Sequence, residues 1–135
     1  MTFKPMLAGK APADLSTLAF PLLASPKLDG IRCIMRGSIA VSRKLLEIPN
    51  RYVQSQLKGL PDGLDGELML DLPGSFNAVQ SAVMSVDGEP DFTFCAFDGH
   101  TVNTARGFEE RIRAFLSRCG RTTRQHADFP QGSVD

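Results

Sequence analysis

The chain has 135 residues with 15 acidic and 15 basic side chains and no net charge. That length fits one domain on the rough scale of ~100–200 residues, and the balance withholds the general basic excess of a phosphate-backbone binder. No apolar run approaches the ~20 residues that cross a bilayer, and the N-terminal segment lacks the continuous apolar stretch of a signal peptide.

Charge is nonetheless gathered locally. Arg32, Arg36, Arg43, Lys44 and Arg51 crowd the first half, and Asp62, Asp65, Glu67 and Asp71 follow, so a basic groove within a neutral chain stays open. Cys33, Cys95 and Cys119 are too far apart for a disulfide framework or a zinc site, and Cys33 and Cys95 fall in strand-like runs as small core residues. His100 and His126 fall in loop-like sequence and read as solvated. Together these features predict a protein of a reducing cytoplasm.

In chain order, residues 1–20 form a proline-punctuated lead with one helical turn at Ala13–Leu18, opened by Asp14 or Pro12. Strands are predicted at 21–27, 31–36 and 39–43, the last two joined through Arg36, Gly37 and Ser38 as a hairpin. Asn50 reads as an N-cap, and a helix carrying Tyr52, Val53, Gln56 and Leu57 should stop at Gly59. Leu64–Leu70 alternates around Glu67 as a strand, with Gly66 leaving room for a backbone or a ligand.

Phe76, Val79, Gln80, Val83 and Met84 follow a helical period that Ser75 or Asn77 caps, and a turn at 87–90 leads into an aromatic strand at 91–98. Phe108, Ile112, Phe115 and Leu116 share one face of a last helix, with Glu109, Arg111 and Arg113 outside it. The pattern is α+β, a largely antiparallel sheet with flanking helices. No repeat or linker divides residues 20–116.

The segment Ser25–Arg32, SPKLDGIR, carries the chemistry. Lys27 stands between an apolar run and an Asp-Gly turn, where a strand would open into a pocket, and Arg32 on the returning strand would point at the same place. A free lysine, of pKa ~10.4, is protonated at neutral pH. Desolvation and a neighbouring cation favour the nucleophilic amine, and an arginine fork can hold a phosphate oxygen. An amine that attacks phosphorus is the reading these residues give.

KLDGIR resembles the Lys-x-Asp-Gly-x-Arg signature of the covalent nucleotidyltransferases, and the chain resembles the N-terminal part of the adenylation domain of the ATP-dependent DNA ligases of bacteriophage type. SRKLLEIPN at 42–50, LDGEL at 64–68 and FTFCAFD at 92–98 resemble three further family segments, in the family's order. Singly, each has an ordinary reading: Glu67 as an ion-pair partner on a sheet, Phe97 as core with Phe92 and Phe94, Arg43 and Lys44 as a solvated strand end. Their joint occurrence is what favours function.

The resemblance implies a partial nucleotidyltransferase fold, ATP-grasp-like, and a set of roles. Lys27 would form a lysyl-AMP from ATP, and Arg32 and Arg43 would hold phosphates, Arg43 nearer the 5′-phosphate of a nicked strand. Glu67 would accept from a ribose hydroxyl, Phe97 would stack on adenine, Ser25 and Leu28 would flank the nucleotide, and Asp29 would orient Lys27 or meet a hydrated Mg²⁺. The implied partner is nicked double-stranded DNA, the implied state a monomer in the cytoplasm of a cell or viral host, and the implied setting DNA replication, repair and recombination. RNA ligases, capping-type transferases, or a non-catalytic domain that binds nucleotide or DNA weakly are the alternatives.

Beyond Asp98 the family's Glu-Gly and Lys-x-Lys segments do not occur and residues 117–135 show no apolar period, and no oligonucleotide-binding domain is expected. The expectation is a truncated ligase: a lead at 1–20, a partial adenylation domain at 21–116, and a disordered or aberrant tail at 117–135.

Overall fold

The computed structural model describes residues 3–23, 27–70, 76–100, 107–116 and 133–134. The chain forms two compact units, Met1–Lys27 with Phe129–Asp135, and Leu28–Asp128.

In the first unit a 3₁₀ turn, Leu15–Thr17, is capped by Asp14, whose carboxylate accepts from the backbone N of Ser16 at 3.0 Å. The strand β1 (Leu22–Leu23) pairs antiparallel with Ser133–Val134 at the end of the chain. The expected strand at 21–27 is thus two residues long in the described part, and the partner seen there is the far end of the chain. An apolar run states that an edge is to be covered, but not by which segment. Of residues 117–135, where no regular element was expected, Ser133–Val134 are a strand and the others lie outside the described residues, as do Ala24, Ser25 and Pro26.

The second unit is built on β2 (Ile31–Arg36), β3 (Ile39–Val41), β4 (Leu64–Leu70) and β5 (Phe92–Gly99). They form an antiparallel sheet in the order β3-β2-β4-β5. Gly37 turns the β2–β3 hairpin with a φ of +63°, where a side chain would be strained, and its N–H donates to the Asp62 carboxylate at 2.6 Å.

Helices α1 (Arg51–Leu57) and α2 (Phe76–Met84) cover one sheet face. Ile31, Cys33 and Met35 of β2, Leu64 and Leu68 of β4, and Phe92 and Phe94 of β5 meet Val53, Leu57, Val79 and Val83 there in one apolar core. Alternation along each strand sends these residues inward and their neighbours to the other face.

Two amide side chains fasten α1. Asn50 caps it by accepting from the Val53 N–H at 2.9 Å. Gln54 imitates a strand partner of Ala40: its Oε1 accepts from the Ala40 N–H at 2.9 Å, and its Nε2 donates to the Ala40 carbonyl at 2.8 Å and to that of Ile48 at 2.8 Å.

Helix α3 (Phe108–Leu116) packs against β5. Here the structure departs from the expected outward face: Arg111 is only 15% exposed in its side chain and binds Asp98 of β5, while Glu109 and Arg113 pair with each other in solvent. A long side chain can leave the apolar stripe of its helix and still reach the sheet. No helix among the described residues is long and apolar enough to cross a membrane.

Candidate nucleotide site

The face of the sheet opposite the core carries three of the residues singled out by sequence, Arg32, Glu67 and Phe97. Register sets them in rows. Arg32 of β2 stands opposite Glu67 of β4, which stands opposite Cys95 of β5; in the next row Ile34, Asp65 and Asp98 are in line.

The two rows are not evenly spaced on β5. Gly66 pairs with Ala96 and Asp65 with Asp98, so Phe97 is an extra residue with no cross-strand partner, a β-bulge. Bulges re-aim side chains, and this one sets the Phe97 ring under Arg32, whose guanidinium carbon lies 5.2 Å from the ring centroid. That distance is within the range of a cation–π contact.

Close backbone approach explains two glycines at this site. A Cβ on Gly66 would run into the carbonyl of Cys95, and one on Gly30 into that of Leu68. The room that Gly66 leaves is taken by the backbone of β5.

Two bidentate ion pairs flank the bulge. Arg32 donates from Nε and Nη2 to the two Asp65 oxygens at 2.6 and 2.7 Å. Arg111 donates in the same way to Asp98 at 2.8 and 2.9 Å. The side chains are 17% and 9% exposed in the first pair and 15% and 19% in the second, so these contacts are worth more than surface pairs. Asp65 hydrogen-bonding holds the Arg32 guanidinium above its ordinary value against the opposing effect of burial, helped by the charges of Asp65, Glu67 and Asp98.

The other expected site residues fall as follows. Lys27 is exposed and ends the first unit, rather than being enclosed at the end of a buried strand. Leu28 is half-buried and Asp29 exposed, both ahead of β2, and Ser25 lies outside the described residues. Arg43 is exposed at the tip of the turn Ser42–Leu46, which follows β3 on the other side of β2 from Glu67 and Phe97. In that turn the Ser42 N–H donates to the Leu46 carbonyl at 2.8 Å, and Leu45 takes a φ of +63°.

The structure therefore brings Arg32, Glu67 and Phe97 together on one face and adds three residues the sequence reading had not assigned to the site, Asp65, Asp98 and Arg111. A signal for two of them was present. Leu28-Asp29-Gly30, Leu64-Asp65-Gly66 and Phe97-Asp98-Gly99 repeat an apolar-Asp-Gly pattern, and the last two set an aspartate opposite an aspartate in adjacent strands. Among the described residues, no three His, Cys, Asp or Glu side chains gather as a cation site. An aromatic face beside a fixed guanidinium and a half-buried carboxylate can stack a base and accept from a sugar hydroxyl.

Two solved structures share this architecture, both of the Chlorella virus DNA ligase-adenylate. One matches with a TM-score of 0.78 and 29% identity over 86% of this chain and 42% of that one. The other matches with a TM-score of 0.72 and 28% identity over 79% and 39%. The chain thus spans about two-fifths of the ligases it matches. No family model and no curated protein sequence matches it.

Proposed function

We propose that this chain, whose fold is that of the adenylation domain of ATP-dependent DNA ligases, takes an adenine nucleotide on the β2-β4-β5 face and transfers its AMP to Lys27. The observation that supports this best is the convergence of Arg32, Glu67 and Phe97 on one face in a fold shared with ligase-adenylates.

In the proposed reaction the unprotonated Lys27 Nζ attacks the α-phosphorus of ATP. The N–P bond forms, the bond to the bridging oxygen breaks, pyrophosphate leaves, and the ammonium proton passes to solvent. Phe97 stacks on the base, Glu67 accepts from the ribose, and Arg32 meets the nucleotide from the same face. Their contribution is orientation and charge stabilisation. Mg²⁺ arriving with the triphosphate needs only one or two protein carboxylates; exposed Asp29 would supply one, and the ion would offset phosphate charge.

In an intact ligase the AMP would pass to the 5′-phosphate of a nicked duplex, with Ser25 and Leu28 beside the nucleotide and Arg43 near the DNA phosphate, and an adjacent 3′-hydroxyl would then displace it. Nick sealing in replication, repair and recombination, a monomeric state and a cytoplasmic setting belong to the same proposal.

The test is incubation of the purified chain with Mg²⁺ and α-labelled ATP or GTP, then denaturing electrophoresis and mass mapping. AMP on Lys27, lost in Lys27→Ala, is the expected result. GMP in its place would move the reading to a capping-type transferase. No label from either nucleotide in a folded chain would leave a non-catalytic relative that binds nucleotide or DNA.

A further inference from the structure

Asp65 and Asp98 stand directly opposite each other on adjacent strands. Like charges so placed repel, and this pair is tolerated because each carboxylate is clamped by its own arginine, Arg32 from β2 and Arg111 from α3. The two clamps do different work. Arg32 lies over Phe97 and so belongs to the proposed base-stacking face; Arg111 binds Asp98, the residue covalently next to Phe97.

We propose that Arg111 is a positioning residue: by occupying Asp98 it leaves Asp65 as the carboxylate that holds Arg32, and it thereby fixes Arg32 over the Phe97 ring. A bidentate fork binds one carboxylate at a time. With Arg111 removed, the largely desolvated Asp98 carboxylate loses both bonds of the arginine fork and its counter-charge and keeps the Gly99 N–H at 2.7 Å, and an unpaired charge so placed is costly. Arg32, on the strand next to Asp65, already feels the charges of Asp65, Glu67 and Asp98 and is a cation that can relieve it. Arg32 then divides its time between two carboxylates, and the guanidinium no longer holds one position above the ring. The bulge is affected in addition, since Asp98 is its flanking residue.

This view predicts an asymmetry that a purely structural ion pair does not have. Removing Arg111 creates a competitor for Arg32; removing the charge of Asp98 does not. The inference rests on the reading that the Phe97 face receives the nucleotide, so one readout must be independent of nucleotide.

The experiment follows the Arg32 Nε–Hε resonance, assigned by its loss in Arg32→Lys, together with ATP affinity by calorimetry, in Arg111→Met, Asp98→Asn and the double variant. In Arg111→Met the resonance should move, and ATP should bind about tenfold more weakly or worse, the scale of one lost hydrogen bond to a charged group. In Asp98→Asn and in the double variant, where no second carboxylate competes for it, the Arg32 resonance should lie at the wild-type position. An unmoved resonance in a folded Arg111→Met chain would overturn the inference. So would a double variant no better than Arg111→Met. If Arg111→Met does not fold, Asp98→Asn decides alone: a displaced resonance there refutes the partition, and an unchanged one upholds it. Wild-type protein that binds no ATP would refute the nucleotide reading, while the resonance still judges the role of Arg111.

Discussion

The Asn50 side chain donates from Nδ2 to the carbonyl of Ser85 at 2.9 Å while its Oδ1 accepts from the Val53 N–H at 2.9 Å, so one fully buried amide both opens α1 and ties it to the end of α2. The carbonyls of Ala82, Asp87 and Gly88 surround the same Nδ2 at 3.2–3.4 Å. Asn50→Ala removes the cap and strands buried carbonyls, a combined loss of about 2–4 kcal/mol in urea unfolding. Asn50→Asp keeps the acceptor for Val53 but turns a negative charge on those carbonyls, and should lose at least as much at pH 7. A loss below about 0.5 kcal/mol, typical of a surface change, would show that water replaces the amide.

Gly66 and Gly37 separate close approach from backbone strain. At Gly66 an added methyl meets the Cys95 carbonyl, and Gly66→Ala should cost about 1–3 kcal/mol as overpacking while weakening the β4–β5 pairing. At Gly37 the space is open but φ is +63°, and Gly37→Ala should cost about 1–2 kcal/mol, the strain of a left-handed residue. Amide exchange distinguishes them: only Gly66→Ala should raise exchange along β5.

His100 gives the stability a pH dependence of defined sign. Burial holds its imidazole below the ordinary 6.5, with Arg36 acting the same way and Asp65, Asp62 and Asp98 opposing. The folded state therefore takes up its proton later than the unfolded chain as pH falls. Stability is complete above the unfolded value and is lost as pH drops below about 6.5 and through the lower folded value. His100→Gln should flatten the profile of unfolding free energy between pH 7 and 5; an unchanged slope would assign it to carboxylates instead.

Phe97→Ala tests the proposed stacking face. Loss of base–aromatic stacking is worth roughly 1–3 kcal/mol, so ATP affinity should fall by about five- to 150-fold, and Phe97→Tyr should retain it. Equal affinities for wild type and Phe97→Ala, by calorimetry, would move the base to another surface.

Local signals carried much of the fold. Asn50 after Ile48-Pro49 declared the start of α1, and the period of Phe76, Val79 and Val83 declared α2, because capping and amphipathic spacing are properties of a few adjacent residues. The alternation in LDGELML likewise declared β4. What local sequence did not carry was partnership. That Leu22 and Leu23 pair with the far end of the chain, or that Asn50 reaches carbonyls 32 or more residues away, depends on tertiary placement. Arg111 was set outside α3 by the positions of its apolar neighbours, since a helical wheel records where Cα points and not how far a guanidinium reaches.

At the site, Arg32, Glu67 and Phe97 could be selected because their motifs are compact. Asp65 and Asp98 lay inside the same motifs but were passed over: their importance comes from facing each other, and that depends on an extra residue which strict alternation does not anticipate.

That extra residue acts as a phase shift in the pleat. Up to Ala96 the even-numbered residues of β5 turn toward the apolar interior, Phe92 and Phe94 among them. Continued without interruption, the same parity would drive the Asp98 carboxylate in beside them and expel Gly99. The insertion inverts the parity at one point: Asp98 meets Asp65 outside, and Gly99 passes inward opposite Leu64. Loss of Phe97 would accordingly restore an unbroken alternation, with Asp98 still facing Asp65 and Gly99 still facing Leu64 but no ring beneath Arg32, whereas ironing out the bulge with every residue kept would place an ionised group in hydrocarbon and dissolve both arginine clamps at once.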